Sequence, residues 1–195
     1  QAKATRYSAP LALPPSQIVP NRRTDTRMST ILSTVDFHDD NPLDIVERVA
    51  GAADIPFERF DEEELLAAHH AGPWCAYEMW FAYTSEVNAL EFRCGYDMKV
   101  PDERMPDIRG LLALINEQMW IGHFDLRQDE RRPAWRHTFI FRGAPHPSEA
   151  QIEDLIGIAL QECNRFYPAF QHVIWAGKSP NDALASALFE TAGEA

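Results

Sequence analysis

The stretch from Trp74 to Met98 constrains the fold more than any other part of the chain. Residues 74–83 (WCAYEMWFAY) form an almost unbroken aromatic and apolar run in which Glu78 is the one charge. The polar turn Thr84-Ser85-Glu86 follows, and after it Leu90, Phe92, Cys94, Tyr96 and Met98 alternate strictly with Glu91, Arg93, Gly95 and Asp97. Period-two alternation places one face of a strand in a core and the other toward water, whereas an unbroken apolar run marks a strand covered on both faces or paired across an interface. The connection is too short for a crossover helix, so the two segments form an antiparallel hairpin. The chain must supply something to cover at least one face of it.

Helix signals on either side provide that cover. Asn41-Pro42 with Asp44 starts a helix carrying Leu43, Val46, Ala50 and Ala53 at helical spacing, because a capping side chain, a first-turn proline and an early acid all suit a helix N-terminus. Phe57–Phe60 reads as a short strand, Asp61–Glu64 as a solvated turn, and residues 65–71 fit either a strand or a helix. Pro101-Asp102 opens a second helix with Ile108, Leu111, Leu112, Ile115 and Met119 on one face and Gly122 at its stop. Phe124 and Leu126, then Trp135, His137, Phe139 and Phe141, alternate with polar partners across the charged loop 129–133 and predict a second hairpin. Ser148 and Gln151 form a capping box ahead of a long apolar stripe that Pro168 is expected to kink or interrupt, and Ser179-Pro180 begins a last helix. The expected class is α+β: a mostly antiparallel sheet built from two hairpins, with helices packed on one face.

Length and charge narrow the function. At 195 residues the chain can bury a full core without a disulfide or a structural metal. Residues 1–27 hold five basic residues against Asp25, together with Pro10, Pro14, Pro15 and Pro20, and read as a disordered leader or extension ahead of a domain beginning near Met28. Residues 28–195 then carry 13 positive and 29 negative charges, a net of −16, which opposes binding to nucleic acid or to an anionic membrane. No run of about 18 apolar residues exists to cross a bilayer. Cys75, Cys94 and Cys163 show no metal or redox spacing and read as reduced thiols in a cytoplasmic protein; a bridge between Cys75 and Cys94 is the less favoured reading.

Chemistry-bearing constellations are sparse. Ala176-Gly177-Lys178-Ser179 lacks the upstream glycine of a phosphate loop, since His172 stands there, and reads as a helix stop and restart. Glu58 and Asp61–Glu64 lack the spacing of a calcium loop. His69-His70 reads as surface. His123, Asp125 and His137 are the one cluster that two hairpin strands could gather for a metal or for acid/base chemistry, and they define the alternative reading, an enzyme centred there. No cofactor is expected. The aromatic residues Trp74, Tyr77, Trp80, Phe81 and Tyr83 are either core or, because a single helix layer covers one face only, the partner-binding surface of a non-enzymatic protein.

Three long segments carry a family resemblance: Trp74-Cys75-Ala76-Tyr77; Leu114–Glu117 continuing to Trp120–Asp125; and Glu162–Phe170. They resemble the YbjN-type domain family, catalogued as "putative bacterial sensory transduction regulators", over about residues 36–195. The resemblance implies a fold similar to type III secretion chaperones, which commonly dimerise and hold extended segments of other proteins. It implies a homodimer with a further protein partner, and it brings no catalytic residues to carry over.

Overall fold

The computed structural model describes residues 41–141 and 146–192. The leader expected over residues 1–27 lies outside them. Helix α1 (Pro42–Ala52) begins where Asn41 caps it, the Asn41 side chain accepting a hydrogen bond from the Leu43 N–H at 2.9 Å. Strands β1 (Phe57–Phe60), β2 (Leu65–Ala71), β3 (Ala76–Thr84) and β4 (Ala89–Tyr96) then run as an antiparallel meander. Glu64 and Asn88, each with φ near +48°, close the two short turns ahead of β2 and β4. Helix α2 (Met105–Asn116), the hairpin β5 (His123–Leu126) and β6 (Pro133–Ile140), and helices α3 (Glu149–Ile174) and α4 (Pro180–Ala192) complete the described chain. The sheet order is β1-β2-β3-β4-β6-β5, antiparallel throughout, so the second hairpin adds to the first through β6.

The α+β class is as the sequence predicts, including both hairpins, and the ambiguous segment 65–71 is resolved as β2. Leu65, Leu66, Ala67 and Ala68 are all buried there, a pattern without the period of either element, which is why local reading leaves it open. Helix α3 runs through Pro168 without a break. A proline inside a helix withdraws one backbone donor, but one face of α3 is buried from Ile152 to Ile174, including Phe166–Phe170 around the proline, and packing holds the helix across the gap.

Register decides which residues make the core. Tyr77, Met79 and Phe81 of β3 point the same way as Leu90, Phe92, Cys94 and Tyr96 of β4, Trp135 of β6 and Phe124 of β5, and all of these are fully buried or nearly so. Phe81 stacks on Phe92 with centroids 4.3 Å apart, Phe92 meets Trp135 edge-on, and Tyr96 lies among Phe124, Tyr167 and Phe170. Helices α1, α2 and α3 pack on this side, and α4 packs outside them on α2 and α3. Two side chains fix the layer to the sheet. The Tyr96 hydroxyl donates to the Cys163 carbonyl of α3 at 2.9 Å, and Asn116, last residue of α2, brackets the Phe124 backbone by donating to its carbonyl and accepting from its N–H.

Asn116→Ala removes both anchors of the short edge strand β5 and should cost about 2 kcal/mol. Gly122→Ala should cost more, because φ is +65° and the added Cβ would lie 2.2 Å from the Trp135 ring. Urea unfolding followed by circular dichroism should rank Gly122→Ala as the less stable of the two, both below the parent protein.

Candidate functional site

The face of the sheet turned away from the helices is the candidate site. Alternation places Leu65 and Ala67 of β2, Glu78, Trp80 and Ala82 of β3, Glu91 and Arg93 of β4, Arg136 and Thr138 of β6, and Asp125 of β5 on it. Among the described residues no helix packs there. Its centre is a closed circuit of ion pairs across three strands. Arg93 donates to Asp125 at 2.9 Å, Arg136 donates to Glu91 at 2.8 Å, and the longer contacts Arg136–Asp125 (3.7 Å) and Arg93–Glu91 (4.0 Å) close the ring. Arg132 joins at one end, 3.1 Å from Glu78 and 3.5 Å from Asp97. The Arg93 side chain is only 13% exposed, so this network is less screened by solvent than ordinary surface pairs.

Of the five aromatic residues read as a partner surface, the structure brings Trp80 alone to this face, half-buried beside Ala67 and Arg93. Tyr77 and Phe81 are core. The Tyr77 hydroxyl donates to the Asn164 side chain of α3, and burial raises its pKa. Tyr83 is partly buried and donates to the Asn88 side chain at 3.1 Å. Trp74 precedes β3, is 38% exposed, and stacks on Tyr167 of α3 with centroids 5.9 Å apart. Glu78 carried the signal for this phase: an acid inside an aromatic run marks the outward register, and Trp80 and Ala82 share it.

The cluster His123, Asp125 and His137 does not assemble. His123 pairs directly with Arg136 in the β5–β6 register, so His137, one residue on, projects to the helix side. There His137 packs against Phe139 at 4.8 Å and Trp135 at 6.0 Å, and burial, with His123 nearby, lowers its pKa. Asp125 serves as a salt-bridge acceptor. Among the described residues no three His, Cys, Asp or Glu side chains are placed to hold a metal ion. The segment 176–179 is a helix stop and restart: Gly177 has φ +65°, the Ser179 hydroxyl accepts from the Asp182 N–H, and Lys178 donates to Ser186. Sequence reasoning missed the ion-pair ring, since Glu91, Arg93, Asp125 and Arg136 become neighbours only once β6 lies between β4 and β5.

The three cysteines are free. The conceivable Cys75–Cys94 bridge is excluded by register, because Cys94 pairs with Met79 while Cys75 precedes β3 altogether. Cys94 and Cys163 are buried, and Cys163 lies 3.6 Å from the Cys94 carbonyl.

A family model described as "Putative bacterial sensory transduction regulator" matches residues 42–172, and the chain belongs to this family, YbjN. A solved structure of YbjN from E. coli, described as a putative transcription regulator, is similar at 11% identity with a TM-score of 0.45, covering 62% of this chain and 84% of that one. No curated protein matches the chain. Among the described residues no helix is long and apolar enough to cross a membrane.

Partial burial pushes the Cys75 thiol up to about 11, with the Asp97 and Glu78 carboxylates adding to the shift and a backbone hydrogen bond at Asp97 opposing it. Its thiolate is therefore scarce at neutral pH. Iodoacetamide should label Cys75 slowly near pH 7 and faster as the pH approaches about 11, while Cys94 and Cys163 should react only in denaturant. The sign of the linkage is fixed as well: an unfolded thiol ionises first, so this residue's contribution to stability falls as pH rises from its ordinary value toward about 11.

Proposed function

We propose that this protein is a non-enzymatic, cytoplasmic regulatory or chaperone-like domain that binds a protein partner across the open face of its sheet, with Trp80 at the centre of the contact. The observation that carries the reading is the composition of that face. A large indole stands among small apolar neighbours, Ala67 and Ala82, inside a frame of charges already paired with one another. Charges already paired cost less to cover than unpaired ones would, and tryptophan is among the side chains that most often dominate a protein contact. Trp74, stacked on Tyr167 of α3, belongs to the helix side and lies outside this contact. Tyr77, Phe81 and Tyr83 act from within, by holding β3 in the register that turns Trp80 outward. Membership of a family described as sensory transduction regulators supports a regulatory role over a catalytic one.

A photo-crosslinking amino acid tests this in living bacterial cells expressing the full chain. Placed at Thr138, which is exposed on the open face opposite Glu91, it should yield a discrete protein adduct that disappears in the Trp80→Asp background. Adducts formed instead from position 175 on the helix side, with none from 138, would overturn the reading.

A further inference from the structure

We propose that the partner segment received at Trp80 is basic, with an arginine or lysine lying on the indole and the carboxylates of Glu58 and Glu78 paired to the charges beside it. The inference rests on the preceding reading of the open face as the working surface and adds the chemistry of its occupant. Register sets the charge pattern. One row of cross-strand neighbours, Glu58, Ala67, Trp80, Arg93, Arg136 and His123, crosses all six strands on this face. It has a carboxylate at the β1 edge and guanidinium groups toward β5, so the two halves of the face differ in charge.

The half from β4 to β5 is satisfied by its own chain. Glu91 and Asp125 meet Arg93 and Arg136 in the closed circuit, and Arg93, the neighbour of Trp80, is committed to Asp125 at 2.9 Å. The half from β1 to β3 is not. Glu58 is exposed, and among the described residues no cation pairs with it. Arg59, next in the chain, points to the other face, where Asp44 and Glu47 of α1 hold it. Glu78 has Arg132, which it shares with Asp97. Lys99 lies past the end of β4, while Glu62 and Glu63, both exposed, add acid past the end of β1. Counting His69, opposite Glu78, as a cation leaves Glu58 and that turn still unmatched. A neutral segment laid over Trp80 and Glu58 would strip water from the carboxylate without replacing it, and an acidic one would meet its own sign; a cation restores what is lost. Of the aromatic rings, indole attracts a guanidinium or ammonium group best. Strands β1 and β3 stand two spacings apart, ~10 Å, a distance suited to alternate side chains of an extended segment, and among the described residues no three acidic, histidine or cysteine side chains gather around a single metal ion.

Fluorescence anisotropy on the full chain tests this with a labelled peptide of alternating arginine and alanine as the probe. The peptide should bind, and one of alternating glutamate and alanine should not. Trp80→Leu, which keeps an apolar side chain and removes the ring, should weaken binding about fivefold, the scale of one cation–π contact. Glu58→Gln, at an exposed position without an ion pair where folding is not at risk, should weaken it by a similar factor. Glu153→Gln, exposed on α3 of the helix side, removes the same charge from the chain and should leave the affinity unchanged. Three results overturn the proposal: an arginine peptide that does not bind, binding that survives both open-face substitutions, or an equal loss from Glu153→Gln, which marks unspecific attraction to an acidic chain. A photo-crosslinker at Ala82, two residues from Trp80 on the same face, separates this failure from that of the reading beneath it. A crosslinked partner segment rich in arginine or lysine supports the proposal, whereas one without them removes the basic occupant and leaves the interaction surface standing.

Discussion

The stacked and edge-on contacts that run from Phe81 through Phe92 to Trp135, and from Tyr96 to Phe124 and Phe170, are the constraint on which the rest of this molecule depends. They join four strands to the long helix α3 on one side of the sheet. Rings of this size pack well only when the strands are in a single register, since a slip of one residue would send every ring to the opposite face. That single register is what makes the two faces of the sheet chemically different. The helix side takes the aromatic mass, and the other side takes what alternation leaves: arginines, carboxylates, small residues and Trp80.

Once the helix side is committed, the open face follows from electrostatics. Four charged side chains within three neighbouring strands could repel or pair, and strand order decides in favour of pairing. Because β6 lies between β4 and β5, Arg136 stands between Glu91 and Asp125, and Arg93 reaches Asp125 from the far side. Had β5 paired with β4 directly, the same residues would meet in other combinations. The ring is therefore a product of topology, and so is the loss of the histidine cluster: the hairpin that brings His123 next to Arg136 turns His137 into the aromatic layer.

Much of the fold was legible in local pattern. The alternation of Leu90 to Met98 gave β4 and its buried face, Asn41-Pro42 and the Ser148–Gln151 box marked two helix starts, and the short turn after Tyr83 forced the central hairpin. The candidate site was less legible. Reading the run from Trp74 to Tyr83 as large on both faces overstated the outward share, because Glu78 sets the phase and leaves Tyr77 and Phe81 inside. Residues 65–71 resisted assignment for a related reason: Ala67 and Leu65 are buried although they lie on the outward register, so no period is visible in their hydropathy.

Sequence by itself therefore determined the class of this protein and the buried faces of β4 and of the capped helices, since period, caps and turn lengths act over a few residues and need no distant partner. Strand order, which side of the sheet the helices take, and the meeting of Arg93 with Asp125 across 32 positions were decided by tertiary structure. The physical reason is one of range. Alternation says which residues share a face, while only long-range packing says which faces are covered and which charges become neighbours.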